Sequence, residues 1–256
     1  MTELEKTGVT LKSLGFNIQP QPESNKWNEQ FSILCGLPKV GKSSFLAEGS
    51  ETTYFIRMAA EFNHLVTYGE DCRDWSDIMR AVDRLHKANK AGLFKWNTIV
   101  FDPCDKLLEY MADHVCEENG NAPSLYEVAG YGVGQRKYKQ GIKNFITSIL
   151  DLPAHKFFVF HTKWVELSEP TNDKKKYHRW ELDLSEKLDA EFKRRVHNVL
   201  HVVSGYVGSQ QTRTMLTQES KFYEAGCKAP CLKKLERIDW GRDDKENYRK
   251  FRALFE

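Results

Sequence analysis

Residues 31–50 read FSILCGLPKVGKSSFLAEGS, and residues 36–43 within them, GLPKVGKS, decide the fold. An apolar run of strand character, Phe31 to Cys35, leads into two glycines, a lysine and a hydroxyl spaced as G-x-x-x-x-G-K-[ST]. Each position has a physical reason. The glycines let the chain curl so that backbone N–H groups turn inward toward phosphate oxygens. A helix beginning near Lys42 adds the partial positive charge of its N-terminus. Lys42 reaches the β- and γ-phosphates, and the Ser43 hydroxyl completes the shell of a Mg²⁺ ion. The short pattern also arises by chance as a glycine turn before a helix. Here a strand precedes it and a helix follows, which is the context that confirms it. The expected cofactors are ATP and Mg²⁺, held by Gly36, Leu37, Pro38, Lys39, Val40, Gly41, Lys42, Ser43 and Ser44.

Such a loop needs a carboxylate at a neighbouring strand end to hold the hydrated metal. Asp102 closes the apolar run of NTIVFD and takes that place; an Asp opening a turn before Pro103 is the plainer alternative. Asp105, beyond the proline, points less surely at the site. Hydrolysis also needs a group that orients or deprotonates water. Glu61, after YFIRMAA, belongs at the crevice edge where strand ends gather, ahead of Glu70 and Asp71, whose TYGEDC context suggests a surface turn. His161 follows KFFVF and would face the γ-phosphate, sensing ATP against ADP through one hydrogen bond. A capping or core histidine is the competing reading.

Working outward, short apolar runs at 31–35, 53–58, 98–102, 156–160 and 197–203 alternate with helical patterns. In 75–90, Trp75, Ile78, Met79, Val82 and Leu85 share a face; in 136–150, Tyr138, Ile142, Phe145, Ile146, Ile149 and Leu150 do. Strands alternating with helices predict an α/β fold with a mostly parallel central sheet flanked by helices. Residues 1–30 form a polar arm, 31–207 the core, and 208–256 a small extension. In the extension, TRTMLT and KFYEAG would make a hairpin through QES, followed by a terminal amphipathic helix.

Composition narrows the function little. The chain has 256 residues, 29% charged, with a net charge of +2, so any basic site must be local. No apolar stretch reaches membrane-spanning length, and the N-terminus lacks an apolar signal core. A cytoplasmic protein is expected, and its six cysteines, whose spacings match no zinc module, are expected to be reduced thiols.

The order of P-loop, strand-ending Glu61, TIVFD, GYGVG at 130–134 and VFHTKW resembles the RecA-like P-loop ATPases. More narrowly, residues 31–230 are similar to the phage Sak-type single-strand annealing proteins. The resemblance implies a RecA-type core acting on single-stranded DNA in homologous recombination, with a single-strand binding protein as partner and a homo-oligomeric filament or ring. It also implies a cytoplasm of a bacterial host, and Arg194 or Arg195 as a finger reaching a neighbouring protomer. It assigns DNA contact to two loops, about 117–139 and about 162–182. The second holds Lys163, Lys174, Lys175, Lys176 and Arg179, interleaved with Trp164, Tyr177 and Trp180. Cations track phosphates and aromatic faces stack on bases, which suits single strands without sequence choice. A solvated charged loop is the bland alternative. The rivals from other classes are a P-loop kinase using 162–182 as a lid, a non-enzymatic nucleotide switch, and a helicase-type motor.

Overall fold

The structure is a computed structural model that describes residues 23–58, 65–169, 172–184, 192–241 and 243–256. The strands are β1 (Phe31–Gly36), β2 (Thr53–Arg57), β3 (Tyr68–Asp71), β4 (Thr98–Asp102), β5 (His155–Phe160), β6 (Thr162–Glu169), β7 (Asn172–Leu182), β8 (Asn198–Val207), β9 (Gln210–Leu216), β10 (Gly226–Cys227) and β11 (Arg237–Trp240). The helices are α1 (Lys42–Ala47), α2 (Trp75–Lys90), α3 (Cys104–Glu117), α4 (Val133–Leu150), α5 (Pro230–Lys233) and α6 (Asp244–Ala253).

Nine strands form one sheet in the order β11-β9-β8-β1-β5-β4-β2-β3, with β10 pairing β8 off this path. The six strands from β8 to β3 run parallel, and β9, β10 and β11 are antiparallel additions at the far side. The P-loop strand β1 and the Asp102 strand β4 are therefore separated by one strand, β5. With all six parallel strands ending at one edge, Gly36, Asp102 and Phe160 arrive together there, as open α/β sheets place their ligands.

Alternation along each strand explains why both faces are covered. Ile33, Ile56, Ile99, Phe101, Phe158 and Phe160 point to one face, where Trp75, Ile78 and Leu85 of α2, Leu107 and Met111 of α3, and Ile142, Phe145 and Ile149 of α4 meet them. Leu34, Phe55, Val100, Phe157, Val159 and Leu200 point to the other, which Phe45 and Leu46 of α1 and Tyr248 and Phe251 of α6 cover. Near-continuous apolar strands are what a doubly covered parallel sheet requires. Helix α2 starts at Asp74, whose carboxylate accepts the Asp77 N–H, and α6 starts at Asp243, which accepts from Lys245 and Glu246. No described helix is long and apolar enough to cross a membrane.

Three expectations change. TYGEDC is not a turn: Tyr68–Asp71 is the edge strand, Phe55 standing opposite Gly69. Residues 210–216 do not pair with KFYEAG; β9 hydrogen-bonds to β8 and β11, so these C-terminal strands extend the main sheet. Residues 162–182 are not an open loop but a two-stranded antiparallel ribbon, β6–β7, in register from Thr162↔Leu182 to Ser168↔Lys176. Cross-strand pairing of Trp164 with Trp180 and Leu167 with Tyr177 gives the ribbon its cohesion. Residues 1–22 of the expected arm lie outside the described residues.

Candidate nucleotide site

The loop between β1 and α1 has the geometry that its glycines predict. Gly36 sits at φ 151° and Gly41 at φ 98°, both on the positive side. A Cβ on Gly36 would come within 2.5 Å of the Val202 carbonyl oxygen, so the loop's entry needs glycine for space as well as for conformation. Leu37, Pro38 and Lys39 are exposed along its crest, while Val40 is buried and anchors it. Lys42 is 5% exposed and its Nζ donates to the carbonyl oxygens of Gly36 and Leu37, 2.9 Å each. The ammonium is thus held inside the ring of the loop, where a phosphate would take over its donors. Burial lowers the Lys42 pKa, against the attraction of Asp102. Because α1 has only six residues, its macrodipole is short, and an anion held here would be met mainly by the loop's amides and Lys42.

Asp102 is buried, and its Oδ2 accepts a 2.6 Å hydrogen bond from Ser43 Oγ. The two residues expected around a metal are therefore in contact, although 59 positions apart in the chain. Burial pushes the Asp102 carboxyl up to about 6, opposed by the Ser43 hydrogen bond and by Lys42. A carboxylate held in so dry a place favours a cation beside it, and Ser43 with Asp102 fits Mg²⁺. Among the described residues no group of three or more His, Cys, Asp and Glu side chains could hold a metal on its own.

His161 follows β5 directly and is partly exposed. Its Nδ1 hydrogen-bonds with Asp105 Oδ2, and its backbone N–H donates to Asp105 Oδ1 at 3.5 Å. Asp105, in the first turn of α3, is thus a partner of His161 rather than a substitute for Asp102. It fixes the imidazole through Nδ1.

Arg213, on β9, was not apparent from the sequence. It approaches the loop so closely that a Cβ on Gly41 would lie 2.3 Å from its Nη1. Nothing local in TRTML marks it, because the contact is made by sheet order alone.

Glu61 lies outside the described residues. Arg195 donates to Thr147 Oγ1 at 3.1 Å, and Arg194 is exposed in the same helical turn at 192–195. On the ribbon, Trp164 is half exposed, stacked on His178 at 5.3 Å and 7° and beside Trp180 at 4.8 Å. Lys174, Lys175 and Lys176 are exposed, and Lys176 also faces Glu166 at 3.7 Å. The remaining cations of the segment build the ribbon itself. Lys163 donates to the Leu184 carbonyl and faces Asp183 at 3.3 Å. The side chain of Arg179 is 14% exposed and bonded to Glu219 at 2.6 Å, and Tyr177 has the Lys221 ammonium 5.2 Å from its ring.

A family model described as an AAA domain matches residues 29–228. No curated protein matches the chain. Among solved structures, a KaiC-like protein from the hyperthermophilic archaeon Pyrococcus horikoshii OT3 is similar at 10% identity, with a TM-score of 0.44, over 88% of each chain.

Proposed function

From the premise that this chain belongs to the AAA domain family, with a RecA-like P-loop fold and the site of an ATPase, we propose that it couples ATP hydrolysis to single-stranded DNA in recombination or annealing. The observation that carries the coupling is the root of the ribbon. Strand β6 begins at Thr162, the residue after His161, so the group placed to meet the γ-phosphate and the aromatic, lysine-bearing ribbon are consecutive in the chain.

The residues divide the work as follows. Backbone amides of 36–44 and Lys42 bind the phosphates, exchanging the Lys42 bonds to Gly36 and Leu37 for bonds to phosphate oxygens. Ser43 and Asp102 would hold Mg²⁺, which would neutralise charge on the phosphates. His161, oriented by Asp105, donates to or releases the terminal phosphate. Glu61 orients the attacking water. On the ribbon, Trp164 and Trp180 offer faces for bases and Lys174, Lys175 and Lys176 offer charges for the backbone, while Lys163, Tyr177 and Arg179 support that surface. Arg194 and Arg195 stand as the residues for a neighbouring protomer's site in a filament or ring, and a single-strand binding protein is the proposed partner.

The test is the ATPase rate with and without single-stranded DNA, for the wild type, for Lys42→Ala and for the triple Lys174/Lys175/Lys176→Ala. DNA should stimulate the wild type several-fold. Lys42→Ala should abolish turnover, and the triple should keep the basal rate and lose the stimulation. Hydrolysis indifferent to DNA in the wild type would discard the DNA half of the reading; phosphate passed to an acceptor other than water would replace it with a kinase.

A further inference from the structure

We propose that Arg213 is a phosphate-binding residue of this site, engaging the α-phosphate end of a bound nucleotide, opposite the end faced by Asp102 and His161. The inference rests on the nucleotide reading above and adds to it a ligand from the C-terminal strands.

The sheet order fixes the side. From β1, the strands β5 and β4 carry His161 and Asp102 in one direction, and β8 and β9 lie in the other. Gly36 stands opposite Val202 of β8, and Arg213 stands opposite Ser204, two residues further along. That register lifts Arg213 to the level of the P-loop, at the flank away from the Ser43–Asp102 pair. With Mg²⁺ and the terminal phosphate on the Asp102 side, what reaches the Arg213 flank is the first phosphate of the chain and its ester to the ribose.

The guanidinium is also held in place. Its Nη2 donates to Asp244 Oδ1 at 2.7 Å and to the Gly241 carbonyl at 3.2 Å. Its carbon lies 4.9 Å from the centre of the Trp240 ring, and Trp240 Nε1 donates to the same Asp244 oxygen at 3.0 Å. Trp240 of β11, the Gly241 carbonyl and Asp244 in the first turn of α6 thus clamp one edge of the planar fork. The other edge carries Nη1, which lies against Gly41; among the described residues Nη1 and Nε donate to no acceptor. A fork clamped on one edge and open on the other, beside a ring of phosphate-binding amides, is arranged for an anionic oxygen, and it has lost its rotational freedom beforehand. An arginine serving only to join β9 to α6 would need no approach to Gly41.

The experiment measures Mg–ATP and Mg–ADP binding by calorimetry for the wild type, Arg213→Lys and Arg213→Ala, with the melting temperature of each protein recorded without nucleotide. Loss of a charge-assisted contact should weaken ATP and ADP alike, by about tenfold or more for Arg213→Ala, with Arg213→Lys intermediate because charge remains but the fork does not. Equal loss on ATP and ADP is the signature, since neither a general destabilisation nor a γ-phosphate contact gives it together with partial rescue by lysine. Should Arg213→Ala fail to fold, Arg213→Lys, which keeps the packing stem over Trp240, decides the matter. Wild-type affinity in both variants, or in the lysine variant alone if only that one folds, overturns the proposal. So does a loss confined to ATP, which would put Arg213 at the terminal phosphate. If the wild type itself binds neither nucleotide, the nucleotide reading fails and this inference goes with it; failure of Arg213 alone leaves wild-type binding intact.

Discussion

Asp102 illustrates how much one side chain can set. It is buried, and burial holds its carboxyl at about 6, above the value near 3.9 of an unfolded chain. The folded protein therefore binds more protons than the unfolded chain between about pH 4 and pH 6. This contribution to stability is full below the unfolded value and is lost as the pH rises past about 6. In chelator, the stability of the wild type relative to Asp102→Asn should accordingly rise on acidification from pH 7 to 5, by on the order of 1 kcal/mol in urea titrations. A difference independent of pH would show that Asp102 does not titrate there. Under the same acidification Mg–ATP binding should weaken, because the proton occupies the carboxylate that a cation needs. At this scale the sequence was legible where chemistry is local: Gly36, Gly41, Lys42 and Ser43 sit where the motif puts them. It was less legible where chemistry depends on distant chain. Asp105 meets His161 across 56 positions, and only the folded orientation of the first turn of α3 makes the pair.

Among elements, the ribbon is decided by pairing rather than by its local sequence. The resemblance implies a loop there, and TKWVELSE and KKKYHRWEL lack the clean polar–apolar alternation of a strand, so the hairpin is decided by the cross-strand pairing of β6 with β7. Strand β3 was obscured differently: four residues, one of them glycine, carry little intrinsic preference, and pairing with β2 decides their state. The ribbon's root also depends on contacts that no local pattern announces. The Trp180 N–H donates to the Phe222 carbonyl at 2.8 Å and the Leu182 N–H to Glu224 at 3.3 Å, while Arg179 bonds Glu219. Arg179→Gln should leave the Glu219 and Glu181 charges uncompensated and speed hydrogen exchange at the Trp180 and Leu182 amides by about tenfold. The lysine triple should leave those amides unchanged. Equal protection in wild type and Arg179→Gln would show that the backbone bonds alone secure the root.

Across the described residues, the segment just ahead of β1 and the C-terminal helix close one face of the sheet together. Trp27, ahead of β1, packs on Phe251 at 6.0 Å and on Phe255 at 5.2 Å, and Phe251 also meets Phe45 of α1 at 5.8 Å and Phe157 of β5 at 6.4 Å. The C-terminal helix is thus a structural wall of the layer that carries the P-loop helix. Phe251 is fully buried. Phe251→Ala should cost roughly 3–5 kcal/mol and lower the melting temperature by on the order of 10 °C, with nucleotide affinity weakened less than stability. A melting point within a degree or two of the wild type would mean that the helix is dispensable to the core. The alternation of strands and helices revealed the α/β class, but not that β9 and β11 lengthen the sheet beyond β8. Strand order is a tertiary property, and nothing in 208–256 states its neighbour.

The segment from Glu219 to Glu224 lies along the ribbon, bridging Tyr223 to Trp180, and it continues through β10 into the sheet beside β8. A chain of contacts therefore runs from His161 up the ribbon, across to this strip and through β10 to β8, the strand that pairs with the one carrying Arg213. One of its fastenings, Lys221 to Glu169, is an ion pair at the water interface. Added electrolyte weakens such a fastening, and ionic strength thereby becomes a dial on how firmly the ribbon is tied to the strip.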